Sequence, residues 1–551
     1  MHLIKKSQLV IQLWLGIIFL TYCTTQEKRE KVDLLVINGN IYTVDDSLPQ
    51  VEAMAIKAGK IIALGTTKEM QALYEAQETV NAQKKAIYPG FIDAHCHFYG
   101  LGLNQQRVNL IGTQSYEEVI AKVVAFQKEK QTTFILGRGW DQNDWEVKVF
   151  PTKARLDSLF PDIPVVLERV DGHAYLVNQK ALTLAGITAA TKVTGGKIEL
   201  KAGVPTGILI DEPMQLIDAI IPAPSTATQI TALKEAEAIC LANGLTTVND
   251  AGLSRATIEL IDSLQQADQL RIRMYAMVSN TPEEVDYFLK KGIIKTDRLH
   301  VRSVKVYADG ALGSRGATLK APYSDKKGHF GAMITAPEAI EQLAEKIARS
   351  DYQMNTHAIG DSANSVVLRT YAKVLKNQPD RRWKIEHAQV VDPKDLSYFS
   401  NNILPSVQPT HATSDMHWVE ERVGEKRLVG AYAYKSLLKE AGLVALGTDF
   451  PVEEVSPLLT FYAAVARKNL DNYPEDGFRA EEALSRAEAL KGMTLWAAYS
   501  NFEEAEKGSL AIGKKADFVI LGKDIMTIPL EEIPTVKVLK TYLDGQVLYG
   551  D

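Results

Sequence analysis

Two histidines one residue apart, His95 and His97, end the stretch Tyr88-Pro89-Gly90-Phe91-Ile92-Asp93-Ala94-His95-Cys96-His97. The apolar run before them predicts a buried strand over residues 87–92 that delivers both imidazoles at its carboxyl end. Residues two apart on a strand point to the same side, so both rings can reach one ion. Neutral imidazole is a good ligand for zinc, iron, nickel or manganese. A chance His-x-His on a polar loop is the competing reading, so further ligands are needed. Four residues answer. Lys305 sits in the apolar Ser303-Val304-Lys305-Val306-Tyr307, His357 ends Asn355-Thr356-His357, His387 ends Lys384-Ile385-Glu386-His387, and Asp449 follows Gly447-Thr448. Singly, each has an ordinary reading: a solvated lysine, a satisfied structural histidine, a helix-capping aspartate. In the order His-x-His, Lys, His, His, Asp, each near a strand end, they predict a metal site. Cys96 points away from its two neighbours and reads as core. His300, His329 and His417 lack supporting spacing.

Such a set needs a scaffold that converges strand ends. The middle of the chain alternates short apolar runs with helical periodicity, the pattern of a parallel α/β barrel. Candidate strands are 246–248, 271–278, 301–307, 353–356, 383–385, 404–407 and 443–446, with a helix over 337–349 among the connections. With 87–92 they make eight. Chemistry in such barrels belongs at the carboxyl ends of the strands. Both ends of the chain are strand-rich instead. Asn38-Gly39 lies between two apolar runs, a hairpin signal; residues 53–65 repeat it, and Asp544-Gly545 turns the far end. The fold class predicted is α/β: a (β/α)8 TIM barrel, a small β-sandwich built from both termini, and an inserted subdomain. The expected divisions are 1–22, 23–32, 33–86 for the first part of the sandwich, 87–490 for the barrel with an insertion over about 137–225, and 491–551 for a helix and the rest of the sandwich.

At 551 residues, 46% hydrophobic and 24% charged, the chain is globular and too long for one small domain. The formal charge of −6 comes with no basic face, which argues against a nucleic-acid partner. Three cysteines, Cys23, Cys96 and Cys240, give no disulfide framework. Lys5 and Lys6 precede an apolar run from Leu9 to Leu20, too short for a comfortable span and built like a secretory signal. Leu20-Thr21-Tyr22-Cys23 resembles a bacterial lipoprotein cleavage box, with Tyr22 departing from the usual small residue. Export is therefore expected, with Cys23 lipidated as a membrane anchor on the periplasmic or cell-surface side. A simply cleaved signal and an uncleaved anchor are the alternatives.

The motif Pro-Gly-Phe-Ile-Asp-Ala-His-Cys-His resembles the first-strand signature of the amidohydrolase superfamily, and Gly508-Ser509-Leu510-Ala511-Ile512-Gly513-Lys514-Lys515-Ala516-Asp517 its C-terminal signature. Gly137-Arg138-Gly139-Trp140-Asp141-Gln142, Arg169-Val170-Asp171-Gly172-His173 and Asp309-Gly310-Ala311-Leu312-Gly313-Ser314-Arg315 are similar to segments of amidohydrolase family 3, the YtcJ-like group. The resemblance runs from Asp33 to the end. It implies two divalent metals per chain, zinc first and iron, manganese, nickel or cobalt as alternatives, bridged by carbon dioxide carried as a carbamate on Lys305. His95, His97 and Asp449 would hold one metal, His357 and His387 the other. Metal-activated hydroxide would be the nucleophile, and Asp449 would orient it and move its proton. The implied substrate is a small molecule with a carbon–nitrogen bond other than a peptide bond: an N-acyl amide, formamide or cyclic amide. An esterase or lactonase, a one-metal deaminase, and a non-catalytic surface binding lipoprotein are the alternatives. The insertion would cover the barrel mouth, making Trp140, Asp141, Asp171 and His173 candidates for substrate binding, although Trp140 and His173 could equally pack the lid. Arg315 could bind a substrate anion or be held in a salt bridge. Gln408 and His411 could line the pocket or be structural. A homodimer is an assembly left open.

Overall fold

The computed structural model describes residues 29–170, 172–193, 196–400 and 402–550. The signal segment, Cys23 and Asp171 lie outside the described residues. Eight strands form the barrel: β1 (Phe91–Cys96), β2 (Leu245–Leu253), β3 (Arg273–Ser279), β4 (Leu299–Tyr307), β5 (Gln353–Ala358), β6 (Trp383–His387), β7 (Ile403–Val407) and β8 (Ala445–Leu446). Neighbours pair in parallel from β1 through β8. Their residues are nearly all buried, as expected of parallel strands covered on both faces. The helices between them carry ordinary start signals. Ser254 caps Arg255–Gln266, and Thr281 with Pro282 opens Pro282–Lys291.

Closure of the ring falls beyond the short β8. The Asp449 N–H donates to the His95 carbonyl and the His97 N–H to the Phe450 carbonyl, each at 2.8 Å. These two bonds place the aspartate beside the His-x-His pair. Asp93 reinforces the seam by accepting from the Thr448 hydroxyl at 2.7 Å and the Thr448 N–H at 3.1 Å. Gly447 is required at this seam, because a Cβ there would lie 2.5 Å from the His95 nitrogen.

The single strand expected over 87–92 is two. Ala86–Pro89 belongs to the sandwich and β1 to the barrel, with Gly90 between them. A Cβ on Gly90 would sit 2.3 Å from Thr246, so the chain passes from one layer to the other only where there is no side chain. The expected hairpin at Asn38-Gly39 is also corrected. Glu30–Ile37 pairs with Ala53–Lys57 and Tyr74–Asn81 in one sheet, whereas Asn40–Tyr42 pairs in the other. That turn carries the chain across the sandwich. The strand starting at Glu30 also takes in the end of the expected tether. Both ends of the chain do meet: Phe518–Leu521 runs antiparallel to Ala86–Pro89. At the start of β3, Arg273 joins barrel to sandwich through Asp517 at 2.7 Å and Asp544 at 2.6 Å.

Between β1 and β2 the chain builds a separate six-stranded sheet. It includes Val108–Asn109, so it begins earlier than residue 137. The reason is a local crossover: helix Tyr116–Lys130 returns the chain so that Ile135–Trp140 pairs in parallel with Val108–Asn109.

Candidate metal centre

Six buried or half-buried side chains converge inside the carboxyl end of the barrel. Ligand atoms of His95, His387 and Asp449 lie within 4.8 Å of one another. His97 Nε2 is 3.3 Å and His95 Nε2 3.5 Å from Asp449 Oδ1. The His357 ring stands 4.5 Å from that of His387. Lys305, fully enclosed, donates from Nζ to His95 Nε2 at 3.0 Å.

Backbone geometry explains how β6 supplies two inward residues in a row. Successive side chains on a strand face opposite ways. Glu386 points inward and bonds His95, so His387 should point out. It does not, because the backbone turns left-handed at His387 (φ +74°) and Ala388 (φ +41°). Asp449 also has a positive φ, +62°. Non-glycine residues in this region are strained, and strain of this kind gathers at functional sites.

The donor set fits a divalent cation. Burial pushes the imidazoles of His95, His357 and His387 below the ordinary range, His357 to about 3, with the nearby Lys305 acting in the same direction. They are therefore neutral and offer lone pairs. Burial acts to raise Asp449, but the imidazoles of His97, His95, His387 and His411 around it outweigh it and hold the carboxyl well below its usual value. Buried polar atoms here, among them His357 Nε2, His411 Nε2 and Asp449 Oδ1, have no hydrogen-bond partner. Buried polar atoms left this way carry a penalty that a bound ion would remove.

The flanking residues hold these rings in place. His95 donates from Nδ1 to Glu386 Oε2 at 2.7 Å, which leaves Nε2 facing the centre. His387 donates from Nδ1 to Gln408 Oε1, also at 2.7 Å. Carboxylate or amide partners of this kind fix ring orientation and tautomer in metal sites. Gln408 thus orients a candidate ligand. His411 lies at the rim, its Nε2 3.7 Å from Asp449 Oδ2 and its ring stacked 6.0 Å from that of His387. Sequence reasoning missed Glu386, although a carboxylate inside an apolar strand was a readable signal. Asp309 was missed too. It accepts from the Thr318, Ile359 and Gly360 N–H groups and stands 3.8 Å from His357.

The remaining candidates lie away from this convergence. Trp140 is fully buried in the insertion's own core and donates from its indole to the Leu167 carbonyl at 2.8 Å. It packs the insertion and has no surface to offer a ligand. Asp141 caps the turn at Asn143 and pairs with Arg169. His173 is exposed and pairs with Asp211 at 2.9 Å. Arg315 is held by Asp325, which also binds Arg422. Cys96 is buried in the core, its thiol on the Asn249 carbonyl.

Barrel, terminal sandwich and a converging set of imidazoles, carboxylate and lysine define a metal-dependent barrel hydrolase. The amidohydrolase family model matches residues 78–549. The chain is 34% identical over 537 residues to the protein LONG AFTER FAR-RED 3 of Arabidopsis thaliana, covering 94% of this chain and 91% of that one. It is 31% identical to "Putative amidohydrolase YtcJ" of Bacillus subtilis (strain 168), covering 93% and 98%. To the N-substituted formamide deformylase of Arthrobacter pascens it is 25% identical, covering 94% and 98%. A crystal structure of an uncharacterized metal-dependent hydrolase from Pyrococcus horikoshii OT3 superposes with a TM-score of 0.76 at 29% identity, covering 90% of this chain and 99% of that one. The chain belongs to the amidohydrolase family and is a hydrolase acting on carbon–nitrogen bonds.

Proposed function

We propose that this protein is a two-metal amidohydrolase that cleaves a non-peptide amide bond in a small molecule: an N-acyl amide, a formamide or a cyclic amide. The observation that carries the reading is the convergence of neutral imidazoles on Asp449 with ligand atoms left unpartnered. The formamide deformylase relative supports the substrate class. His95, His97, His357, His387 and Asp449 would hold the ions, with Lys305 as a carbamate between them. Zinc is the first choice on this donor set, with iron, manganese, nickel or cobalt behind it. A bound divalent ion supplies Lewis acidity, lowering the pKa of water and polarising a carbonyl.

The chain's own residues do the rest. Asp449, already a carboxylate, takes a proton from the attacking water and gives it to the leaving nitrogen. His411, at the rim, offers a ring nitrogen to the substrate. Glu386 and Gln408 keep His95 and His387 aimed. Arg315 would meet a substrate anion only by releasing Asp325, and Asp171 and His173 remain candidates for the outer pocket. We also propose that the chain is exported and anchored through a lipid on Cys23, on the strength of the apolar segment 9–20 and the cleavage box after it.

Elemental analysis of the purified protein tests the metal reading, with activity measured on a panel of N-acyl amides, formamides and lactones. About two equivalents of metal, with activity lost on chelation, is the expected result. One equivalent would favour the deaminase-like, one-metal alternative. No metal, even after supply of metal and bicarbonate, would sink the proposal.

A further inference from the structure

Beneath the candidate centre the barrel interior stays polar, and the proposed chemistry uses none of it. Lys384 lies two residues before Glu386 on β6, on the same inward face. It is fully buried. Its Nζ donates to Asn501 Oδ1 at 2.8 Å and lies 5.1 Å above the Tyr275 ring. Asn501 is not a barrel residue. It follows the helix Leu495–Ser500 and is fully buried against the floor. Its side chain exchanges two hydrogen bonds with Asn249 of β2, at 2.9 and 3.0 Å. The Asn249 amide also donates at 3.0 Å to the carbonyl of Ala94, the residue before His95. One floor asparagine therefore ties the strand carrying Glu386 to the strand carrying His95.

We propose that Lys384 and Asn501 are positioning residues for the metal centre, holding Glu386 against His95 from the floor of the barrel. The inference rests on the metal-hydrolase reading. A buried lysine with no carboxylate in hydrogen-bond contact is a poor choice for stability alone, since an apolar side chain of similar volume would avoid desolvating a charge. Its charge acts instead on Glu386, whose Oε1 is buried without a hydrogen-bond partner. Lys305 also faces Glu386, but Lys305 is taken up by the centre itself.

The test uses the full chain and cobalt(II) as probe, read by chelator competition and by the visible spectrum of the bound ion. The unaltered protein is titrated first. If it takes up no cobalt, the metal reading fails and this inference fails with it. If it does, Lys384→Met and Glu386→Gln should each bind cobalt ~10–100-fold more weakly, the range for losing a partner of a ligating histidine, with a changed spectrum. Asn501→Asp keeps the side chain's size but offers Lys384 a carboxylate on the floor, so it too should weaken binding. It decides the matter if Lys384→Met does not fold. Affinity and spectrum unchanged in folded Lys384→Met, or in Asn501→Asp, overturn the proposal.

Discussion

At the residue scale, one lone pair is contested. His95 Nε2 accepts from Lys305 at 3.0 Å and is also the atom that faces Asp449. It cannot serve a lysine proton and a metal together, so loading must displace or transform the Lys305 amine. Burial, the largest influence on it, lowers the Lys305 pKa, and a neutral amine is the form that yields space or captures carbon dioxide. Lys305→Met should therefore bind at least one metal fewer per chain than the unaltered protein; equal occupancy by elemental analysis would remove the bridging role. Asp449→Asn should keep part of the metal while kcat falls by about 10²–10⁴, the usual worth of a positioned proton carrier. A fully active Asp449→Asn would dismiss its part in proton transfer.

Elements decide where those residues stand, and here the sequence was only partly readable. Strand alternation made His95 and His97 readable as a pair, and the apolar runs located seven further barrel strands to within a few residues. Alternation would have sent His387 outward, because nothing in Glu386-His387-Ala388 announces two successive left-handed residues; that conformation is imposed by tertiary packing. The break at Gly90 was hidden for a similar reason. Its cause is Thr246, more than a hundred residues away, which leaves no room for a Cβ. Gly90→Ala should destabilise the fold by about 1–3 kcal/mol, the usual range for overpacking, measured as a lower urea midpoint. Thr246→Ala in the same chain should restore much of that loss. Trp140 failed as a pocket residue because tryptophan's size and single donor suit a core as well as a ligand wall, and composition cannot tell the two apart.

Across the whole molecule, Arg273, Asp517 and Asp544 couple barrel to sandwich. Burial acts to raise the Asp517 carboxyl, but the Arg273 guanidinium outweighs it and holds the group below its ordinary value. A carboxyl lowered in the folded state stabilises it fully above the unfolded pKa, near 3.9. That stability is lost as pH falls through the folded value. Acid unfolding of the normal protein should therefore include this contribution below about pH 4, and Asp517→Asn should lack it. The same variant should cost about 3 kcal/mol at neutral pH, because it leaves a buried guanidinium short of a partner; a thermal midpoint unchanged by the substitution would discount the coupling. The antiparallel pairing of Phe518–Leu521 with Ala86–Pro89 has a consequence in time. A ribosome makes the second of these strands hundreds of residues before the first, and pairing that distant in sequence is slow to form. The strand that leads into His95 therefore waits unpaired on that edge until the last stretch of chain emerges. A nascent chain arrested before residue 518 should take up no metal, which makes loading of the centre an event that follows translation.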